Sequence, residues 1–294
     1  GRLPVRRRRH LTAGRGLMTV LTGQETAGLV PPAPPRNTGR HPAASLALRV
    51  LGPVLLVGLW YAGAASGVIT PDVLAGPQDV VKTFGELWAD GQMQEALGVS
   101  LTRAGLGLLL GASAGLVIGV LSGLSRLGEE LLDSSMQALR AIPFLALTSL
   151  FMVWFGIEET SKILLISVAC TFPMYINVSS GVRNVDRKVV EAARSFGLGR
   201  LALAREVVLP GALPSIFAGL RLSTTLSVVA LIAAEEINVT AGLGYLMARA
   251  TDYLRTDILA LCVILYALIG LTADVILRLA ERFTMPWRKA VAAR

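Results

Sequence analysis

The sequence predicts an all-α integral membrane protein, a helical bundle with about six transmembrane helices. Three observations predict it. The 294-residue chain is 53% hydrophobic with a mean hydropathy of +0.60, and only 16% of its residues are charged. An average soluble domain carries about 25%, so the composition matches lipid rather than water. Six apolar stretches follow one another, each near the roughly 20 residues needed to cross a hydrocarbon core. The basic residues between those stretches fall mostly on alternate sides.

Residues 1–44 read as a disordered cytoplasmic tail. Arg6, Arg7, Arg8 and Arg9 form a basic run, and Pro31, Pro32, Pro34 and Pro35 oppose helix and central strand. No apolar run suited to a secretory signal follows the arginines before the prolines, and Met18 offers an alternative start. Residues 45–294 form the transmembrane domain, with a cytoplasmic loop at 183–215. The predicted spans are Val50–Val68, Ala104–Ser125, Ala141–Ile157, Ile163–Val182, Ile216–Ala234 and Ile258–Leu277. The third has only 17 residues and contains Pro143. It reaches full length when extended back toward Met136, with Arg140 snorkelling to the headgroups.

A soluble bundle would need a polar face at the helical period. Ala104–Ser125 offers only Ser113, Ser122 and Ser125 as polar side chains. The same span carries Gly107, Gly111, Gly115, Gly119 and Gly123 at four-residue spacing, a smooth stripe for close packing against another span.

Charge fixes the orientation. With the N-terminus inside, cytoplasmic segments hold 23 of the 28 Lys and Arg residues; the outer ones are Lys82, Arg103, Lys162, Arg249 and Arg255. Both termini are then cytoplasmic, and the net charge of +8 requires no nucleic acid. The first outer loop is acidic. Within it Val80, Val81, Phe84, Leu87 and Trp88 share one helical face, suited to the outer interface or to the protein's own outer surface.

Metal and redox motifs are absent from the sequence. Cys170 and Cys262 each sit in apolar runs, and His10 and His41 both lie in the tail. Gly111-Ala-Ser113-Ala-Gly115 matches the nucleophile-elbow pattern of serine hydrolases. That pattern needs a strand–turn–helix and a base, whereas this stretch lies mid-span.

The informative segment lies between spans four and five. Val190–Phe196 predicts a short helix ending at a Gly197 turn that favours positive φ, and Leu201–Val208 predicts a second that stops at Leu209-Pro210. Glu191-Ala192-Ala193, Gly197, Val207, Leu209 and Pro210 match the signature Glu-Ala-Ala, three residues, Gly, nine residues, Ile, any residue, Leu-Pro. Only Val207 departs, by one methylene. The chain therefore resembles the permeases of binding-protein-dependent ABC transporters, and most resembles those for sulfonates, taurine and nitrate. Ser100-Leu-Thr-Arg103 and Gly242-Leu-Gly-Tyr245 fit that subfamily.

The resemblance implies a type I importer subunit in the cytoplasmic membrane. Its loop would be the coupling helix docked on a separate ATPase. Two ATPase copies, a second permease copy and an extracytoplasmic substrate-binding protein would complete the assembly. The sequence has no Gly-x-x-x-x-Gly-Lys-Ser/Thr loop, so no ATP cofactor is expected on this chain. The expected cargo is an aliphatic sulfonate or taurine. Nitrate or bicarbonate-type anions and a thiamine-precursor pyrimidine are the alternatives.

Polar residues inside spans are candidates for the translocation path. Span four supplies Thr171, Tyr175 and Asn177 around Pro173. Span five supplies Arg221, Ser223, Thr224, Thr225 and Ser227, then Glu235, Glu236 and Asn238. Each is equally suited to a helix–helix contact, and Arg221 is placed to pair with Asp274 of span six.

Overall fold

The structure, a computed structural model, describes residues 42–140, 142–236 and 240–285. The tail with its arginines, histidines and Met18, and also Asn238, lie outside the described residues. The chain divides into two units, Gly1–Leu55 and Leu56–Arg294. Helix α1, Pro42–Ala65, begins in the first and ends in the second, and its apolar part is Leu51–Ala65.

In the second unit α2 (Pro77–Ala89) precedes α3 (Gln92–Leu124). A short helical stretch follows: α4 (Arg126–Gly128), a π turn (Glu129–Asp133) and α5 (Ser134–Arg140). Next come α6 (Phe144–Phe155), α7 (Glu159–Arg183), α8 (Arg187–Ser195) and α9 (Arg200–Leu203). A second π turn (Ala204–Val208) leads into α10 (Leu209–Glu235), and α11 (Leu243–Asp252) and α12 (Thr256–Thr284) complete the unit. The described residues contain no strand. Four helices are long and apolar enough to cross a membrane: Gln92–Leu124, Glu159–Arg183, Arg200–Glu235 and Thr256–Thr284.

The third predicted span is corrected. Its helix does not extend back to Met136, because α5 ends at Arg140 and Pro143 stands at φ −59° and ψ 117° as the N-cap of α6. Proline disfavours helical backbone in the residue before it, so the chain breaks there. The 12 residues of α6 span about 18 Å at 1.5 Å each, short of a roughly 30 Å core.

The glycine stripe of α3 packs against α7. A Cβ on Gly115 would lie 2.5 Å from Thr171 O, one on Gly119 2.8 Å from Val178 Cβ, and one on Gly123 2.6 Å from Val182 Cγ1. Backbone and side chains of α7 occupy the space that side chains would fill, so this seam exists because these positions are glycine. Across α7, Cys170 and Ser223 exchange hydrogen bonds with one another's carbonyls, the hydroxyl donating at 2.8 Å, and tie α7 to α10.

Helix α2 packs inward through Val80 and Thr83, while Val81 and Trp88 of the predicted face stay exposed. Thr83 Oγ1 donates to Asp257 Oδ2 on α12 at 2.6 Å. The segment thus packs on the protein's own surface.

Candidate functional site

The loop between α7 and α10 forms two short helices around a glycine turn. Asp186 caps α8, its carboxylate accepting from Lys188 N at 2.9 Å. At the other end Gly197 has φ +84°, a left-handed conformation that side chains rarely adopt. Leu198 N donates to Ala193 O and Gly197 N to Arg194 O, at 3.3 and 2.9 Å. These two bonds are a Schellman closure, which satisfies carbonyls at the helix end and turns the chain.

The second helix differs from expectation. It does not stop at Leu209-Pro210; helical structure runs from Arg200 to Glu235. Pro210 has no N–H to continue the ladder, and the π turn before it accommodates that loss. Leu209 N reaches back five residues to Ala204 O, and Pro210 falls in the first turn of α10, where a missing donor costs little.

The signature residues divide by face. Ala193 and Val207 pack with Val190 against the buried cluster of Val182, Leu203, Val208 and Ala212. Leu209 is half-buried, whereas Glu191, Ala192, Gly197 and Pro210 are exposed. Beside the turn, Phe196 is 85% exposed and Leu201 83%. From the sequence each falls at one end of a short predicted helix, and neither has a role. The structure leaves both apolar side chains exposed beside the turn of a charged loop, and exposed apolar groups of this size suit a contact surface.

The polar residues of the spans do not converge on one cavity. Tyr175 donates to Asp133, and Arg183 donates to both Asp133 carboxylate oxygens at 2.8 and 2.9 Å. The Arg183 guanidinium holds the Asp133 carboxyl well below the usual carboxylate range. This group borders a pocket of about 320 Å³ lined by Met136, Gln137, Phe172 and Ile176 as well. Thr224 and Ser227 border a separate, mainly apolar groove of about 360 Å³ between α3, α10 and α12.

Thr171 donates to Gly111 O in the α3–α7 seam at 3.2 Å, and Asn177 donates to Pro173 O at 2.8 Å. Ser223 lies in the α7–α10 seam described above, and Thr225 is exposed. Arg221 pairs with Asp274 at 3.2 Å, as its placement suggested, and with Glu281 at 2.7 Å.

Glu235 sits at the opposite end of the bundle from the loop, in a buried ionic clamp. Its carboxylate is 0% exposed and Arg103 is 1% exposed. Arg103 donates to Glu235 at 2.6 Å, to both oxygens of Glu159 at 2.5 and 2.6 Å, and to Ala241 O at 2.8 Å. Ser100, Tyr266 and Gly244 N also donate to Glu235, and Lys162 pairs with Glu159 at 3.3 Å. One carboxylate thereby joins α3, α10, α11 and α12.

Gly242 and Gly244 are required by it. A Cβ on Gly242, whose φ is +110°, would lie 2.6 Å from Glu235 Oε1, and one on Gly244 would meet Glu235 backbone. The two subfamily segments, Ser100–Arg103 and Gly242–Tyr245, are thus two walls of one site. Sequence reasoning missed Glu159, Lys162 and Tyr266 as its members. The available signal was an arginine and a glutamate at the same membrane end of two apolar helices. Gly111–Gly115 lies within α3, so no nucleophile elbow forms around Ser113.

A transmembrane helical bundle with such a loop defines a membrane transport component. Residues 111–285 match the family described as "Binding-protein-dependent transport system inner membrane component", and the chain belongs to that family. It is 45% identical to SsuC of Escherichia coli (strain K12), a permease protein named for aliphatic sulfonates transport, over 81% of this chain and 90% of that one. SsuC of Bacillus subtilis (strain 168), named likewise, is 40% identical over 82% and 87%. The taurine transport system permease protein TauC of E. coli is 34% identical over 81% and 88%. Among solved structures, a chain from an amino acid ABC transporter aligns with a TM-score of 0.54 at 20% identity, covering 68% of this chain and 97% of its own, a likeness of fold.

Proposed function

We propose that this chain is the membrane permease of an ATP-driven importer for organosulfonates, aliphatic sulfonates before taurine. The carrying observation is identity of 45% and 40%, over four-fifths of the chain, to two permeases named for aliphatic sulfonates, against 34% to one named for taurine. None of these three relatives is named for nitrate, bicarbonate or a thiamine precursor. The test is growth of a deletion strain on an alkanesulfonate as sole sulfur source. Growth should fail and return with the gene. Normal growth, with no second such importer present, would reject the substrate.

The chain itself performs no catalysis and holds no cofactor. ATP is hydrolysed by a partner, because the sequence carries no phosphate-cradling loop. We assign α8 and the Gly197 turn to that contact, with Phe196 and Leu201 as apolar anchors and Glu191 on the charged rim. Both termini and this loop face the cytoplasm, as the distribution of Lys and Arg supports. The assembly is two copies of this chain, two ATPases and an extracytoplasmic substrate-binding protein. Tyr175, Thr224 and Ser227, which border cavities, are the polar residues we assign to the translocation path.

A further inference from the structure

At the loop end of the bundle, the helical segment between α3 and α6 has little apolar anchorage. Ser125 breaks the end of α3 at φ −135° and ψ 138°. Gly128 then folds back on α3, where a Cβ would lie 2.6 Å from Leu121 O. None of residues 127–139 is buried. A segment with no side chain in a core is held mainly by its polar bonds. Here those bonds gather on one residue, Asp133.

Asp133 closes the π turn Glu129–Asp133, a kind of turn frequent at functional sites. Its Oδ1 accepts from Ser122 of α3 at 2.9 Å and from Tyr175 of α7, and both its oxygens accept from Arg183. Arg183 also donates to Ser122 Oγ at 2.7 Å and lies 3.2 Å from Glu129. Ser122 and Tyr175 are buried, whereas Asp133 and Arg183 are 26% and 28% exposed, so the ion pair stands at the rim of the cluster. Arg183 is the last residue of α7, and Asp186 already caps α8. On the other side α5 follows Asp133 directly, and Pro143 then breaks the chain ahead of α6. The pocket of about 320 Å³ lies between these two sides, with Met136 and Gln137 on one and Phe172, Ile176 and Ser179 on the other.

We propose that Asp133, Tyr175 and Arg183 form a latch between the ATPase-contact loop and the inner mouth of the translocation path. This rests on the importer reading and its orientation, in which α8 meets the ATPase. Asp133 and Arg183 are positioning residues, acting through the segments they hold. A displacement of α8 pulls on Arg183 directly, because only Asn184 and Val185 separate it from the cap of that helix. A bidentate arginine–carboxylate pair has one good geometry and is lost once its distances exceed roughly 3.5 Å. The segment therefore has two arrangements, bound and free, which movement of the loop biases. Bound, as in this structure, Met136 and Gln137 wall the pocket against α7. Free, they withdraw and the pocket opens to the cytoplasm. The latch ties the opening of the inner mouth to the state of the ATPase.

The experiment uses proteoliposomes that hold the permease, its ATPase and the substrate-binding protein, with a radiolabelled alkanesulfonate as probe. Uptake and ATP hydrolysis are measured together and their ratio is taken. Asp133→Asn keeps the size of the side chain and removes its charge. It should retain the ATPase as wild type does, hydrolyse ATP without requiring the loaded binding protein, and lose at least fivefold in uptake per ATP. Arg183→Lys, which cannot grip both carboxylate oxygens as a fork, should fall between the two. Arg278→Ala, on α12 and outside the cluster, should keep the wild-type ratio. A merely structural role would lower uptake and hydrolysis in proportion. That result in Asp133→Asn, or a ratio within twofold of wild type, would overturn the latch and leave the importer reading standing. If Asp133→Asn does not assemble, Arg183→Lys carries the same test, and failure of both to assemble would make the cluster structural and overturn the latch. A wild-type complex that takes up no alkanesulfonate would overturn the importer reading as well.

Discussion

The two ends of the bundle invert the usual rule of burial in opposite ways. At one end charges are buried: Arg103 and Glu235 are removed from solvent, and Glu235 accepts from four different residues. At the other end apolar groups are exposed, Phe196 and Leu201 on the tip of a loop otherwise rich in charge. A buried charge is tolerable only when every bond is made within the chain. An exposed apolar tip is useful only when something outside the chain covers it. The clamp itself is complete within the chain, whereas the loop tip is suited to completion by a partner.

Substitutions should separate the two ends. The largest effect is expected at the clamp. Glu235→Ala leaves Arg103 buried beside an empty space and should destabilise the chain by about 3–5 kcal/mol. Thermal unfolding in detergent should show it, and Glu235→Gln, which keeps acceptor capacity, should lose less. A stable Glu235→Ala chain would mean that the clamp is not what holds α11.

Phe196→Ala comes next and should act differently. Chain yield and unfolding should not change. Retention of the ATPase subunit should fall by at least tenfold, consistent with an interface anchor worth about 2 kcal/mol. The smallest effect is expected from Arg278→Ala. Its bond to Asp274, 2.6 Å long, joins an exposed arginine to a half-buried carboxylate one helical turn away, and such surface pairs contribute about 0–1 kcal/mol. A large loss there would show that the surface of α12 is covered in the assembly.

Much of this contrast was legible before the fold was known, for identifiable reasons. The glycine stripe of α3 predicted close packing because four-residue spacing is a local property of one helix. The Gly197 turn was legible because a C-cap glycine has its own backbone requirement. The clamp was half legible: Glu235 stood out as a charge at the end of an apolar run, but its side-chain partners lie 135 and 132 residues before it, at Ser100 and Arg103, and 31 after it, at Tyr266, and no local pattern joins them. The exposure of Phe196 was not legible, because an aromatic residue at a helix end is usually buried. The helical break at Pro143 and the continuation through Pro210 show the same residue with opposite outcomes. One proline falls ahead of a helix as its cap, the other falls in a first turn preceded by a widened one.

In the proposed function the loop transmits ATP hydrolysis to the spans. The measurement is ATP-driven uptake of a radiolabelled alkanesulfonate into proteoliposomes that hold the complex and the binding protein, comparing wild type with Gly197→Val. Valine at φ +84° costs about 1–2 kcal/mol locally and misdirects the turn beside Phe196. The spans are unchanged, so membrane insertion should be normal. Uptake should fall to background and the ATPase should no longer co-purify. Uptake by Gly197→Val at the wild-type rate would contradict the claim.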